Sequence, residues 1–162
     1  MNETQKSREE LMQLAQKMTD ACAAEILEVS RQIFQNPEPA FQEFFAADLL
    51  ERTISEAGFE ARRGDGQLQT AIRAEKPSED GRLKIGFISE YDCLPIGHAC
   101  GHNLIAASGV FSAILFEKLN SVSRHQLSLK SIRFILSSFL RIEPIHKKPP
   151  FEAAFCVWEE TL

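Results

Sequence analysis

The chain has 162 residues, with 18 lysines and arginines against 23 aspartates and glutamates, a formal charge of −5 with neutral histidines. That balance argues against a nucleic-acid or anionic-membrane partner, since both reward a net basic surface. At 44% apolar and 25% charged residues, the composition is that of one ordinary folded domain with enough apolar material for a core. The first ten residues, MNETQKSREE, are polar throughout and offer no apolar stretch for a signal peptide, so a cytoplasmic location is the expectation. The four cysteines, Cys22, Cys93, Cys100 and Cys156, are scattered without a CxxC pair and are expected as free thiols.

In chain order, apolar residues recur at Leu11, Ala15, Met18, Cys22, Ile26, Val29 and Ile33, steps of three or four that predict one buried helix face. Ser7 and Glu10 predict a capping box at its start. Asn36-Pro37-Glu38-Pro39 ends it, because proline lacks a donor and biases the preceding residue out of the helical region. A second helix is predicted over 41–57, with Phe41, Phe45, Leu49 and Thr53 or Ile54 facing inward and Gly58 as a left-handed C-terminal cap. Residues 59–62 and 68–74 predict short strands around a Gly64-Asp65-Gly66 turn, and 76–81 a polar loop. Leu83–Ser89 predicts a buried strand that runs directly into EYDCLPIGHACGHN. A third helix is predicted over 103–119 with Asn103 as its N-cap. Its apolar run, 104–116, is interrupted by Ser108, Gly109 and Ser112 and falls short of the ~20 residues a membrane helix needs, so it reads as a core helix. Leu129–Leu136 predicts a further strand.

Helix, helix, strands, then strand–loop–helix is the order of an α/β domain, in which ligands bind beyond the carboxyl ends of the strands. The loop 90–103 occupies that place. In it His98, Cys100 and His102 alternate with Ala99 and Gly101, and in an extended segment residues two apart share a face, so imidazole, thiolate and imidazole would converge. Those are ligands that suit zinc and related metals. Glu90 and Asp92, at the end of the strand, could ligate a metal or accept the second N–H of a histidine. A loop with satisfied histidines, or a Cys100–His nucleophile pair near a helix N-terminus, are the competing readings.

The string EYDCLPIGHACGHN resembles the metal-binding loop of the zinc-dependent amidohydrolases and dipeptidases of the aminoacylase/carboxypeptidase superfamily. The likeness is to the branch with aminobenzoyl-glutamate hydrolases and the peptidase domain-containing proteins that cleave β-alanyl dipeptides. RQIFQNPEPAFQE, 31–43, is similar to that family's R-x-x-H-x-x-PE-x-x-F-x-E segment, and GFEARRGDGQLQTAIRAE, 58–75, to the strands that follow. The resemblance covers roughly 21–119. It implies an α/β fold, the N-terminal part of a metallopeptidase catalytic domain with a mixed or parallel sheet flanked by helices, incomplete over 1–119 and followed by a divergent tail, 120–162.

The resemblance makes Cys100 and His102 metal ligands and Asp92 a supporting acidic residue. Glu90 matches a position where more distant relatives place a ligand, and His98 one expected to line the substrate pocket or support the loop. It implies zinc or another divalent metal, one or two ions in a complete site, with a glutamate as general base. The implied substrates are small N-acyl amino acids or dipeptides. Full-length relatives form homodimers, which this chain is not expected to support.

Two departures accompany the likeness. The family's Glu-Glu pair, bearing the general base, would follow the strand Leu129–Leu136, where SSFLRIEPIHKKPP stands instead. Glu159-Glu160 lacks the family's small-residue context and reads as a solvated terminus, and His125 and His146 as surface-loop residues. Relatives also have a glycine between Leu-Pro and Ile-Gly-His, where Pro95 is followed directly by Ile96. Two functional expectations follow: metal-dependent hydrolysis of an amide or peptide bond, or a non-catalytic fragment that at most binds a metal or a partner.

Overall fold

The computed structural model describes residues 8–64, 68–77, 83–122 and 129–136. Ser7, the glycine turn at Asp65 and Gly66, Cys156, His125, His146 and Glu159-Glu160 lie outside them. Helix α1 spans Arg8–Gln35, α2 Phe44–Glu56, and α3 His102–Val122; strands β1 to β4 are Glu60–Arg63, Ile72–Pro77, Leu83–Ser89 and Leu129–Leu136. The sheet order is β1-β2-β4-β3, with β1–β2 and β2–β4 antiparallel and β3–β4 parallel. This is the expected mixed sheet with helices packed on it. The boundary expected at 119/120 falls inside α3, and β4 lies within the same sheet, paired on both sides.

Alternation along the strands decides which face is covered. Ile72, Ala74, Phe87 and Ile132 are buried, and α2 and α3 pack against their strands, with Phe116 of α3 meeting Phe87 at 5.8 Å between ring centroids. Glu60, Arg62, Arg73 and Glu75 point the other way in register, Glu60 opposite Glu75 and Arg62 opposite Arg73. They line a cleft of about 430 Å³ that shares no residue with the 90–103 loop.

The stripe on α1 deepens along the helix: Leu11 to Ile26 are partly buried, whereas Val29 and Ile33 are buried beneath α3. The second helix starts three residues later than expected, and its inward face is not aromatic. Ala46, Ala47, Leu49, Leu50 and Ile54 are buried, while Phe41, Phe44 and Phe45 are exposed at 51%, 48% and 39%. Small alanines let α2 lie close to its neighbours, which leaves no room for a phenyl ring on that side. Gly58, at φ 85°, ends the helix as expected: its N–H donates to the Ser55 carbonyl and that of Phe59 to the Ile54 carbonyl, the double bond of a Schellman cap.

Two further expectations are corrected. Strand β2 begins at Ile72, because Gln69 and Thr70 form a turn in which the Ala71 N–H donates to the Leu68 carbonyl. Helix α3 has 21 residues, so by length and composition alone it is long and apolar enough to cross a membrane. Here Ala106, Ala107, Val110, Phe111, Ala113 and Ile114 are core residues packed on α1 and the sheet.

Candidate metal-binding loop

Strand β3 delivers Glu90, Tyr91 and Asp92 to the carboxyl edge of the sheet, where α3 begins. His102 opens α3 between the two carboxylates. Its Nδ1 lies 2.8 Å from Asp92 Oδ1 and 3.1 Å from the Asp92 carbonyl, and its Nε2 lies 3.4 Å from Glu90 Oε2. Two acceptors on one side place the proton on Nδ1, which leaves the Nε2 lone pair facing Glu90. The pairing of a carboxylate with the remote nitrogen is the arrangement that orients metal-ligating histidines.

The loop is not extended. Leu94 and Gly97 exchange backbone hydrogen bonds of 3.1 and 2.8 Å, closing a tight turn over Pro95 and Ile96, and the Gly101 N–H donates to the His98 carbonyl. Gly97 and Gly101 adopt φ of 88° and 75°. Those turns break the alternation expected of His98, Cys100 and His102: His98 is buried, Cys100 exposed, and His102 between. Among the described residues no group of three or more histidine, cysteine, aspartate or glutamate side chains converges to hold a metal ion. The donor chemistry of Glu90 and His102 fits a divalent ion as a facing pair rather than as a closed site.

Asn103 does not cap α3. Gly101 does, its carbonyl accepting from the N–H groups of Leu104 and Ile105, and its left-handed φ is one that residues with a Cβ adopt at a cost. The Asn103 amide is buried and donates to Ser30 Oγ at 2.9 Å, tying the start of α3 to α1.

His98 is 7% exposed, and both of its ring nitrogens lack a hydrogen-bond partner among the described residues. Its ring lies 6.2 Å from that of Phe34. Burial holds its pKa below the ordinary 6.5; the Ile33 carbonyl pulls the other way but lies outside hydrogen-bond geometry. A histidine whose folded pKa is depressed is protonated more readily in the unfolded chain, so its contribution to stability is complete above the unfolded value and is lost as pH falls through it. Urea denaturation is therefore expected to show stability falling on acidification below about pH 6.5, with a shallower fall in His98→Phe. Equal slopes for the two proteins would contradict it.

Three roles were not read from the sequence. Glu38, in the Pro-Glu-Pro turn, accepts from the N–H groups of Phe45 (2.9 Å) and Ala46 (3.0 Å), capping α2 from upstream, and its carbonyl accepts from Cys93 N–H at 2.8 Å. Glu43 is fully buried, with Oε1 accepting from Phe41 N–H at 2.7 Å and Oε2 from Thr70 Oγ at 2.6 Å. Tyr91 is also fully buried and donates its hydroxyl to the Thr70 carbonyl; burial first, then the Glu43 charge, raises its pKa above the phenol range. The spacing PE-x-x-x-x-E was visible, but nothing in it tells that both carboxylates turn back onto backbone.

The mixed sheet, its flanking helices and the loop at the end of β3 can be compared with known proteins. No protein-family model matches the chain. Over 123 residues it is 39% identical to the Xaa-Arg dipeptidase of Homo sapiens, spanning 67% of this chain and 28% of that protein. It is 29% identical over 109 residues to a subunit of the p-aminobenzoyl-glutamate hydrolase of Escherichia coli (strain K12), covering 56% of this chain and 22% of the relative. The chain thus spans about a quarter of the length of the curated relatives it matches. Among solved structures, the Bacillus subtilis YXEP protein, described as a dinuclear metal-binding peptidase of the M20 family, superposes with a TM-score of 0.62 at 26% identity, over 72% of this chain and 35% of that one. An aminobenzoyl-glutamate utilization protein from Klebsiella pneumoniae shares the fold at a TM-score of 0.61 and 11% identity, over 75% of this chain and 38% of that one. The chain is a homologue of M20-type peptidases and hydrolases over part of their length, as the resemblance of its loop led us to expect.

Proposed function

We propose that the chain is the His102-bearing portion of a metal-dependent hydrolase that cleaves an amide or peptide bond in a small N-acyl amino acid or dipeptide. The observation that carries this reading is the facing pair at the end of β3, His102 Nε2 and Glu90 Oε2 at 3.4 Å, with Asp92 holding Nδ1. Relatives named dipeptidase and hydrolase support it. Zinc or another divalent ion would be held by His102 and Glu90, with Cys100 as the further candidate ligand, and would supply Lewis-acid polarisation of the scissile carbonyl. Asp92 keeps the proton on Nδ1 so that Nε2 can donate its lone pair, and His98 lies behind the loop. The second reading, a chain that binds metal or a partner without turnover, is favoured by the lack of a three-donor group among the described residues.

Metal analysis of the purified chain, combined with assays on N-acyl amino acids and β-alanyl dipeptides, separates the two. Stoichiometric metal with turnover is the expected result; metal without turnover supports the second reading, and a metal-free, inactive chain overturns the first and leaves only the second.

A further inference from the structure

We propose that Glu43, Thr70 and Tyr91 form a positioning relay for the 90–103 loop, through which the buried Glu43 fixes the two carboxylates that flank His102. The proposal deepens the hydrolytic reading and rests on it for its purpose, though not for its geometry. Tyr91 stands between Glu90 and Asp92, and consecutive side chains leaving a strand alternate in direction. With the Tyr91 ring fully buried, its two neighbours project together on the opposite side, where both meet His102. Whatever fixes the depth and rotation of Tyr91 therefore fixes the spacing of the pair. What fixes them is a chain of hydrogen bonds: Tyr91 hydroxyl to the Thr70 carbonyl, Thr70 hydroxyl to Glu43 Oε2, and Phe41 N–H to Glu43 Oε1.

The relay joins segments 27 and 21 positions apart in sequence, so no local turn accounts for it. A fully buried carboxylate is costly to desolvate, and an apolar side chain would fill the same space without that cost. Glu43 also holds Phe41 at φ 69°, the sole positive φ outside glycine among the described residues. Backbone kept in such a conformation requires surroundings that over-determine it, and the Glu43 carboxylate that accepts from Phe41 N–H is one of them. Hydrogen bonds also set direction, which apolar packing does not, and the loop needs a direction for two carboxylates.

Hydrogen exchange read by mass spectrometry on the full chain tests this in wild type, Tyr91→Phe, Glu43→Ala and Glu43→Gln, with a cobalt(II) titration of each. In Tyr91→Phe and Glu43→Ala, exchange in 90–103 is expected to rise about tenfold or more while the core of α3 is unchanged. Glu43→Gln keeps an acceptor for Phe41 N–H and a partner for the Thr70 hydroxyl, and is expected to restore slow exchange and cobalt affinity. Unchanged loop exchange in Tyr91→Phe and Glu43→Ala would overturn the relay, as would an equal rise in α1 and α3, which marks a general loss of stability. If Glu43→Ala does not fold, Tyr91→Phe, lacking one hydroxyl, decides. A wild-type chain that gives no cobalt spectrum overturns the hydrolytic reading alone, since the exchange comparison needs no metal.

Discussion

His102→Ala is expected to lower the affinity for cobalt(II) or zinc(II) by more than about 100-fold, and Asp92→Asn by about 10–100-fold, the range found when a residue behind a metal-ligating histidine is lost. The two differ because the residues act at different ends of one ring. His102 carries the lone pair; Asp92 decides which nitrogen has it. With Asp92 Oδ1 and the Asp92 carbonyl both within 3.1 Å of Nδ1, the proton belongs there. In that tautomer the Nε2 lone pair faces Glu90 Oε2 at 3.4 Å, acceptor opposite acceptor. Such a contact is favourable only when a proton or a cation bridges it. Asp92→Asn can present its amide N–H to Nδ1, which would move the proton to Nε2 and block the lone pair. Calorimetric titration of the three proteins, with the intensity of the cobalt spectrum as a second readout, checks the order wild type, Asp92→Asn, His102→Ala. Equal affinities for wild type and His102→Ala would remove the metal from the loop.

Element order and type could be read from the sequence because hydrophobic period and chain punctuation report locally. The α1 stripe, Gly58 at the end of α2 and the bounds of strand Leu83–Ser89 stand as expected, whereas that strand, expected as buried, lies at the sheet edge with Ile88 43% exposed. What escaped depends on tertiary context. Phe41 and Phe45 had the period of an inward face together with Leu49 and Ile54, yet only Leu49 and Ile54 are buried, joined by Ala46, Ala47 and Leu50, since a periodic pattern gives two adjacent stripes on a short helix and packing distance chooses between them. At the loop, residue types were informative and their convergence was not. Gly97 and Gly101 turn the backbone so that His98 goes inward and Cys100 outward, whereas the His102–Asp92 contact spans ten positions and survives those turns. Asn103 had the chemistry of a cap, but a glycine carbonyl just before it left its amide available for Ser30 on another helix. The Glu38 and Glu43 contacts are made with backbone groups and a threonine, which carry no sequence pattern to detect.

Leu50→Ala is expected to destabilise the chain by about 2–5 kcal/mol, the range for deleting a fully buried leucine and leaving part of its cavity. Leu50 is 0% exposed on α2, among core residues contributed by the helices and the sheet. Against a typical total of roughly 5–15 kcal/mol, that loss would populate unfolded protein at ambient temperature. Phe44→Ala, on the same helix and 48% exposed, is the control, expected within about 0.5 kcal/mol of wild type if no partner covers it. The contrast tests which stripe of α2 faces the core: were the phenylalanines inward, the larger ring would give the larger loss. It also tests how α2 holds the loop, because Glu38 both caps α2 and binds Cys93 N–H through its carbonyl. Loosening α2 through Leu50 should therefore speed thiol labelling of Cys93, which is half-buried in the native chain, while Cys100, already exposed, changes little. Urea denaturation and timed thiol labelling of the two variants read both effects; a Phe44→Ala loss exceeding that of Leu50→Ala would reverse the assigned face.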